Sequence, residues 1–382
     1  DLRFSTLKIV CVSNDMKKFL FFDPGIVKLL KNPRYPSGGA TVQALCWARA
    51  LRKKGYDVGI ISNEIVQINS EFELIYTYKE SQKDSKLLWI NYKYEILKEK
   101  IISYNPDYVY QAGAGFVTWV VSSIARNNNI KFIHRIANDV DTDRRIKKRL
   151  GVFNRAFYLN GLKGADIVLC QNMKQLFNLR KYYQIKNAHV LHNPIEIVRG
   201  KNFNVQKSKY IAWLGIFQFQ KNLPGLYKIA KSLPMYRFAI GGDINPANKD
   251  LQVKKCVEKL KGLPNIIFKG YIDRSQISNF LSEAYILLNT SHFEGFSNTF
   301  LESWKAGTPV FSLKSVDPDD VISKHKLGLT FDRISDFRSS IIEFIEGDKK
   351  GEYSDRCFYY VSQHHSDKDL VNKFLSKLDV DS

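Results

Sequence analysis

The chain has 382 residues, 44% of them hydrophobic and 25% charged, which excludes a largely disordered protein and allows two domains of ordinary size. Lysine and arginine total 58 against 38 acidic residues, and the resulting net charge of +20 favours an anionic partner: nucleic acid, an acidic membrane surface or a phosphorylated substrate. The five cysteines are scattered without metal-ligand spacing, which is typical of a reducing compartment.

Short β-branched runs alternate with amphipathic helical stretches through the first half of the chain. No apolar run reaches the about 18 residues that cross a bilayer, and the first residues predict a strand rather than a signal peptide. We therefore expect a cytoplasmic protein, soluble or peripheral at the inner face of the plasma membrane. A helix is predicted at 40–55, and strands are predicted at 7–14, 57–63, 106–113, 130–137, 165–172 and 188–194.

The same alternation restarts after the polar stretch 195–208. Strands are predicted at 210–215, 236–242, 265–270, 284–291 and 308–313. The pattern predicts an α/β protein with two Rossmann-like, doubly wound domains facing a central cleft. We place a first domain at 1–195, a second at 209–365, and a terminal helix at 366–382 that packs back on the first domain. Ligands of such sheets bind beyond the carboxyl ends of the strands, so the loops after strands should carry the chemistry.

Two glutamates flank a small-residue turn in SHFEGFSNTFLESWKAGTPVFSL, residues 291–313. Gly295 permits a tight turn, and the amides that open the following helix would form an anion site. Glu302, one turn into the helix, could accept both hydroxyls of a ribose, while Glu294 would face the group that a phosphate carries. This spacing suits a sugar nucleotide. Alternatively, Thr299 and Glu302 form a capping box that needs no ligand.

The segment closely resembles the signature of retaining glycosyltransferases with the GT-B fold, specifically the large fourth family of sugar-nucleotide-dependent enzymes. The pattern is S-x-x-E-G-F, a small polar pair, then E-A/S-x-A-x-G-x-P-V. The matching residues are Ser291, Glu294, Gly295, Phe296, Glu302, Ser303, Ala306, Gly307, Pro309 and Val310. Further matches extend the resemblance over roughly residues 7 to 330: PSGGATVQAL, FIHRI, GIFQFQKN and FKGYI.

The resemblance implies a role for each matching residue. Glu294 and His134 would position the transferred sugar, and Glu302 would bind the ribose. Tyr271 and Ile272 would lie near the base. The donor diphosphate would be bound by Gly38, Gly39, Lys221, Phe296, Ser297 and Asn298. Ile216 stands where the family usually has an arginine, and Arg135 is a candidate for the second cation. Asn222 replaces a family glycine.

The function that the resemblance implies is transfer of a sugar from a nucleotide-diphosphate donor to an acceptor hydroxyl with retention. The expected partners are that donor and a glycan or lipid-linked acceptor in bacterial or archaeal cell-envelope or polysaccharide synthesis, with no nucleic acid. The resemblance implies no metal or other cofactor. Two alternatives remain: a sugar-nucleotide epimerase of the same fold, and a non-catalytic scaffold that binds nucleotide or membrane.

Two further stretches carry charge. NDVDTD contains Asp139, Asp141 and Asp143, and we interpret it as a solvated or acceptor-facing loop rather than a metal site, since carboxylates without other ligands rarely bind metal tightly. The basic segment 144–158 combines six cations in its first twelve residues with aromatic side chains. It could dock on anionic lipid headgroups, and it could equally be a solvated helix face over an apolar stripe.

Overall fold

The chain forms two parallel sheets, each covered by helices. The computed structural model describes residues 17–34, 38–78, 86–197, 208–244 and 250–378. The predicted strand at 7–14 lies outside these residues. None of the described helices is both long and apolar enough to cross a membrane.

The first sheet is central to the first half of the chain. Within the described ranges its parallel strands are β1 (Lys18–Phe22), β2 (Asp57–Ser62), β3 (Glu73–Tyr76), β4 (Tyr108–Ala112), β5 (Lys131–Arg135), β6 (Ile167–Cys170) and β7 (Ala188–Val190). Their order is β3-β2-β1-β4-β5-β6-β7. The helices that accompany them are α1 (Pro24–Lys31), α2 (Gly39–Lys53), α3 (Lys86–Tyr104), α4 (Phe116–Asn127), α5 (Ile146–Lys163) and α6 (Met173–Tyr183).

The second sheet repeats this winding. Its described strands are β8 (Tyr210–Leu214), β9 (Phe238–Gly241), β10 (Ile266–Gly270), β11 (Ala284–Leu288), β12 (Val310–Leu313) and β13 (Gly328–Phe331), in the order β10-β9-β8-β11-β12-β13. The helices are α7 (Leu223–Ser232), α8 (Leu251–Lys261), α9 (Arg274–Ser282), α10 (Asn298–Lys305), α11 (Val321–Lys324), α12 (Phe337–Glu346), α13 (Lys350–His364) and α14 (Asp367–Leu378).

Side-chain alternation along each strand builds an apolar layer on both faces of the sheet. In β1, Phe19 and Phe21 pack under α2, whereas Leu20 packs on the opposite face against the layer that contains Val109. Burial on both faces explains why these strands are apolar throughout.

The last two helices belong to different halves of the molecule. α13 packs on the core of the second sheet, and α14 packs beside α2 in the core of the first. Between them the chain runs alongside residue 195: Ile195 N donates to His365 O at 2.8 Å, and Asp367 N donates to Ile195 O at 3.1 Å. Two stretches of backbone therefore connect the halves side by side.

The GT-B architecture expected from the sequence is confirmed, but three described strands were not predicted. β1 has the sequence KFLFF, pairs with β2 and β4 in the middle of the sheet, and ends where Asp23 caps α1. β3 and β13 are four-residue strands at the edges of their sheets. Only one residue of β3 and two residues of β13 are buried, which is too few for a clear alternation.

Candidate active site

Each sheet reverses its strand order at one point, where β1 lies beside β4 and β8 lies beside β11. Doubly wound sheets bind ligands outside the carboxyl ends of the strands at this switch point. In the second sheet, β8 leads into the turn that carries Lys221, and β11 leads into the loop that carries Glu294. Both residues therefore lie where the topology predicts a ligand.

Lys221 and Glu294 form an almost buried ion pair. The distance from Lys221 Nζ to Glu294 Oε1 is 2.6 Å, and the two side chains are 13% and 9% exposed. Ser291 Oγ donates to the same carboxylate oxygen at 2.7 Å, and Gln220 Nε2 donates to the other at 3.0 Å. A phosphate that binds Lys221 would compete with Glu294 and leave this carboxylate free to accept hydrogen bonds from another group.

The turn before α7 explains why Asn222 can stand where the similar family has a glycine. Asn222 has a φ of 51°, in the left-handed region, where asparagine is among the few residues other than glycine that are common. Its side chain also accepts a hydrogen bond from Gly225 N at 3.1 Å and so caps α7. Asn222 therefore preserves the backbone turn that places Lys221, and this departure from the family pattern does not disturb the site.

The N-terminus of α10 has no side-chain cap. The helix begins directly after Ser297, whose hydroxyl lies 2.9 Å from the Thr299 hydroxyl instead of accepting from a backbone amide. The capping box considered for Thr299 and Glu302 is not formed, because Thr299 already lies inside the helix. The first amides of a helix have no acceptor within it, so this end can bind an anion.

The start of α2, from the other half of the molecule, meets the start of α10. Asn298 Nδ2 donates to Gly39 O at 3.0 Å, and Gln43 Nε2 donates to Asn298 Oδ1 at 2.8 Å. Gly38 is the N-cap of α2, and a Cβ atom built there would have no neighbour within 4 Å. The structure thus brings Gly38, Gly39, Ser297 and Asn298 together, with two helix N-termini converging on one place.

Phe296 has partners within the protein. Its amide donates to Gln171 Oε1 at 2.7 Å, and its ring is buried against Trp304 and His365. Its predicted contact with the donor diphosphate stays a prediction, which would require this amide to leave Gln171. The neighbouring Gly295 lies close to the same side chain: a Cβ there would be 2.8 Å from Gln171 Oε1, so a larger residue would displace the end of the Gln171 side chain.

Glu302 is a half-buried carboxylate close to Cys46 of α2. Among the described residues it makes no side-chain hydrogen bond or ion pair, whereas the other carboxylate of the segment, Glu294, has three donors. Burial raises the pKa of Glu302, and the nearby charges of Lys305 and Arg274 lower it by less. An unpaired carboxylate at this depth is suited to a ligand that supplies hydroxyl donors.

Tyr271 and Ile272 directly follow β10, at the same carboxyl-end edge of the sheet as Lys221 and Glu294. The Tyr271 hydroxyl donates to Pro33 O at 2.5 Å, so this side chain touches the first half of the molecule. Ile272 lies against Gly241 at the end of β9, where an added Cβ would come within 2.5 Å of Ile272 Cδ1. The absence of a side chain at Gly241 lets Ile272 lie flat against the end of the sheet.

His134 is a core residue, which corrects the prediction that it contacts the sugar. The residue is fully buried in β5, with Nδ1 2.8 Å from Gln111 Oε1 and the ring beside Phe132 and Tyr158. Burial lowers its pKa to about 3, so the imidazole is neutral. The ring has no exposed surface that a sugar could contact.

Arg135 is likewise buried and cannot touch a diphosphate directly, which corrects its proposed role as a second cation. Its Nη2 donates to Leu191 O at 2.9 Å and to Asn193 Oδ1 at 2.6 Å, and the guanidinium lies over the Trp47 ring. Burial lowers its pKa. Asn193 in turn donates to Phe296 O at 3.0 Å. Arg135 therefore supports the loop before α10 through Asn193.

The three aspartates after β5 are structural. Asp141 is fully buried and pairs with Arg149, and burial raises its pKa to about 6. Asp139 accepts from Asn172 and Gln175 at the start of α6. The expectation of a solvated loop is therefore wrong for these two residues. The described part of the chain contains no group of three or more His, Cys, Asp or Glu side chains arranged to hold a metal ion.

Several residues of the site were not predicted from the sequence. Besides Gln171 and Asn193, Asn172 Nδ2 donates to Gly295 O at 3.0 Å, and Asp319 accepts from the Met173 amide at 2.9 Å. Gln171 and Asn172 directly follow β6, and Asn193 lies three residues after β7. The expectation that loops after strands carry the chemistry would have found all three amides.

Several solved structures match the architecture of both halves. Sucrose-phosphate synthase from Thermosynechococcus elongatus superposes with a TM-score of 0.73 at 12% identity, covering 96% of this chain and 100% of that one. HepE from Anabaena in complex with UDP-glucose gives 0.74 at 14% identity, over 95% and 99%. WaaG, a glycosyltransferase involved in lipopolysaccharide biosynthesis, gives 0.67 at 15% identity, over 93% and 98%. The chain therefore has the GT-B fold.

Sequence comparison gives a narrower match. Residues 194–361 match the family model described as Glycosyl transferases group 1, which covers the second sheet and the site at its switch point. An uncharacterized 41.2 kDa protein in the cps region of Klebsiella pneumoniae is 24% identical over 200 residues, 50% of this chain and 53% of the relative. The match thus spans about half the length of this curated relative. Together these findings show the GT-B fold for the chain and a similarity to group 1 glycosyl transferases for its second half.

Proposed function

We propose that this protein is a retaining glycosyltransferase that moves a sugar from a nucleoside-diphosphate donor to an acceptor hydroxyl during cell-envelope glycan synthesis. The observation that carries the proposal is the paired Lys221 and Glu294 beside the uncapped start of α10. A cation and helix amides suit a diphosphate, and a carboxylate released from the cation suits the hydroxyls of a sugar.

The diphosphate of the donor would lie between the starts of α2 and α10, with Lys221 on one phosphate. Glu302 would accept hydrogen bonds from the ribose, and the base would lie near Tyr271 and Ile272. In this arrangement the phosphate takes Lys221 from Glu294, which then orients the sugar. Donor binding would therefore switch the partner of each side chain, which is a direct physical link between phosphate recognition and sugar positioning.

In the transfer step, the bond between the anomeric carbon and the phosphate oxygen breaks, and a bond from that carbon to the acceptor oxygen forms on the same face. The acceptor proton passes to the departing phosphate. Negative charge grows on this phosphate as the bond breaks, so Lys221 and the two helix N-termini stabilise the transition state. No protein base and no metal ion are needed, and we propose that none takes part.

Named relatives guide the choice of donor and acceptor. HepE has been crystallised with UDP-glucose, and TarM with UDP and a glycerol-linked N-acetylglucosamine. The Klebsiella relative belongs to a cps region, and WaaG takes part in lipopolysaccharide biosynthesis. We therefore propose a cytoplasmic reaction that uses a nucleoside-diphosphate sugar and a glycan or lipid-linked acceptor.

The test begins with a panel of nucleoside-diphosphate sugars, scored by thermal shift and by slow release of nucleoside diphosphate. A donor that stabilises the protein is then used with Glu294→Ala and Lys221→Ala. We expect Glu294→Ala to abolish turnover while nucleotide binding persists, and Lys221→Ala to weaken both. The anomeric configuration of the product, determined by NMR, reports retention, and EDTA should leave the rate unchanged.

Glu258→Gln on α8 is the matched control, because this exposed glutamate pairs with Lys261 in the same half of the molecule. It should behave as the unaltered protein does. Normal turnover by Glu294→Ala would refute the proposal. Conversion of the donor to a different nucleotide sugar would instead indicate an epimerase, and nucleotide binding without any turnover would indicate a scaffold.

A further inference from the structure

The helices α4, α5 and α6 form one continuous region on the first half of the molecule. Phe157 of α5 lies against Phe116 and Trp119 of α4, with ring centroids 4.9 and 5.1 Å apart. Arg144, just before α5, lies over the Tyr182 ring of α6 at 5.7 Å. We call the exposed side of these three helices the α4–α6 surface.

The charge on the α4–α6 surface has one sign. None of the residues of the three helices is aspartate or glutamate. Their basic residues are Arg126, Lys147, Lys148, Arg149, Arg155, Lys163, Lys174, Arg180 and Lys181. The nearby aspartates 141 and 143 are already paired with Arg149 and Arg145. The surface therefore attracts an anionic partner.

Large apolar side chains project from the same surface. Val152 is 79% exposed and Phe153 is 82% exposed, and Val117, Phe157 and Phe177 are also exposed. Side chains of this size rarely stay exposed in a group unless something covers them. Lys181 lies over the rings of Phe177 and Tyr182, so basic and aromatic side chains are in contact on the α4–α6 surface.

A break in α5 produces this projection. Gly151 has a φ of 71° and a ψ of 176°, outside the helical region, and it separates the lysine-rich start of the helix from the rest. An L-residue would be strained at this φ. The break leaves Val152 and Phe153 at a corner, separated by two residues from the cationic run Lys147, Lys148 and Arg149. Two apolar side chains at a corner, with cations beside them, resemble an interfacial anchor.

The α4–α6 surface begins at the edge of the candidate active site. The Arg145 guanidinium, one residue before α5, lies 5.7 Å from the centre of the Phe293 ring. Phe293 precedes Glu294 in the loop after β11. Whatever binds the α4–α6 surface is therefore brought next to the cleft.

We propose that the α4–α6 surface docks on a lipid bilayer that contains anionic lipids, with Val152 and Phe153 inserted among the acyl chains and Lys147 and Lys148 at the headgroups. A projecting pair of apolar side chains can insert into the fluid acyl-chain region of a bilayer, because that region needs no pocket of matching shape. A single-stranded nucleic acid would instead need a groove with free aromatic faces, and here Lys181 covers two of the rings. The proposal rests on the surface itself; presentation of a lipid-linked acceptor to the cleft rests on the proposed function.

The experiment is co-sedimentation of the full chain with vesicles of phosphatidylcholine, with and without phosphatidylglycerol, at low and high salt. We expect binding only with phosphatidylglycerol and weaker binding at high salt. Lys147→Gln with Lys148→Gln should lower the partition coefficient about 30-fold, since each cation near such a surface contributes about 1 kcal/mol. Phe153→Ser should lower it about tenfold by removing the inserted ring.

Helix α8 in the other half supplies matched controls. Lys254→Gln with Lys255→Gln removes two exposed cations, and Leu251→Ser removes an exposed apolar side chain. Neither should change vesicle binding. Equal binding to both vesicle types, or α4–α6 variants that sediment as the unaltered protein does, would overturn the proposal. The assay contains no sugar nucleotide, so its failure is separate from failure of the transferase function, and donor turnover in solution should be normal in all these variants.

Discussion

At the scale of single residues, a substitution of Glu302 should affect stability and donor binding in opposite directions. Burial without a partner raises its pKa, so its ionised form destabilises the fold. The folded chain prefers the protonated acid, and stability is lost as the pH rises through the pKa of Glu302 in the folded chain. We expect Glu302→Gln to melt a few degrees higher than the unaltered protein at neutral pH, and the difference to disappear in acid.

The same substitution should weaken donor binding. A charged acceptor for two ribose hydroxyls would be lost, and hydrogen bonds to charged groups contribute enough to raise KM for the donor about 10- to 100-fold. Steady-state kinetics and melting curves on one preparation measure both effects, with Glu258→Gln as the control. A variant that is less stable and binds the donor normally would show that Glu302 has a structural role.

Residue types and their positions in the chain predicted part of the site. Lys221 and Glu294 were identified from the family motifs that their segments resemble, and the structure places them in contact. His134 and Arg135 were assigned in the same way, but β5 buries both of them. Whether a strand residue faces a cleft or a helix depends on where the sheet ends and on which helix covers it, and neither is encoded in the local sequence.

At the scale of elements, the meeting of α2 and α10 is the feature that local sequence could not predict. The residues that join them, such as Gln43 and Asn298, are far apart in the chain and belong to opposite halves. By contrast, the periodicity of each helix and the turn at Asn222 follow from local sequence. Contacts between halves depend on how two finished sheets pack, so they require the three-dimensional structure.

Gly38 tests whether the helix start of α2 binds the donor. Its backbone angles suit any residue, and an added Cβ meets open space, so Gly38→Ala should keep the melting temperature. The methyl group would nevertheless project beside the first amides of α2. We expect KM for the donor to rise about tenfold, equivalent to about 1.4 kcal/mol of lost binding. Isothermal titration with the donor measures this directly, and unchanged affinity would place the diphosphate elsewhere.

At the scale of the whole molecule, the two halves are joined mainly by polar contacts and by two adjacent stretches of backbone, at residue 195 and at 365–367. We call these two stretches the chain crossings. Gln171 and Asn193 bind the loop before α10, and Arg34 forms a bidentate pair with Asp273. Each half has its own apolar layers, and among the described helices α14 alone crosses back to complete the first. Polar contacts of this kind can exchange for contacts with a bound donor, which is what closure around a substrate requires.

The chain crossings also determine how the molecule responds to acid. His192 and His365 stack at the crossing, with centroids 5.2 Å apart, and His365 Nδ1 lies 2.8 Å from Asn193 O. Burial lowers the pKa of His192 to about 4 and of His365 to about 3, and that of His134 in β5 to about 3. In the unfolded chain each histidine titrates near about pH 6.5.

Below that pH the unfolded chain therefore binds protons that the folded chain does not bind, and stability falls steadily as the pH decreases toward the pKa values of the folded state. Each of the three histidines should cost about 2 kcal/mol by about pH 5. Urea denaturation at a series of pH values measures this decrease in the free energy of unfolding. His365→Gln should reduce the slope by about one bound proton, about 1.4 kcal/mol per pH unit, even if the variant is less stable at neutral pH. The slope reports only the difference in bound protons between the unfolded and folded chains. An unaltered slope in that variant would mean that His365 binds its proton equally well in the folded and unfolded chains.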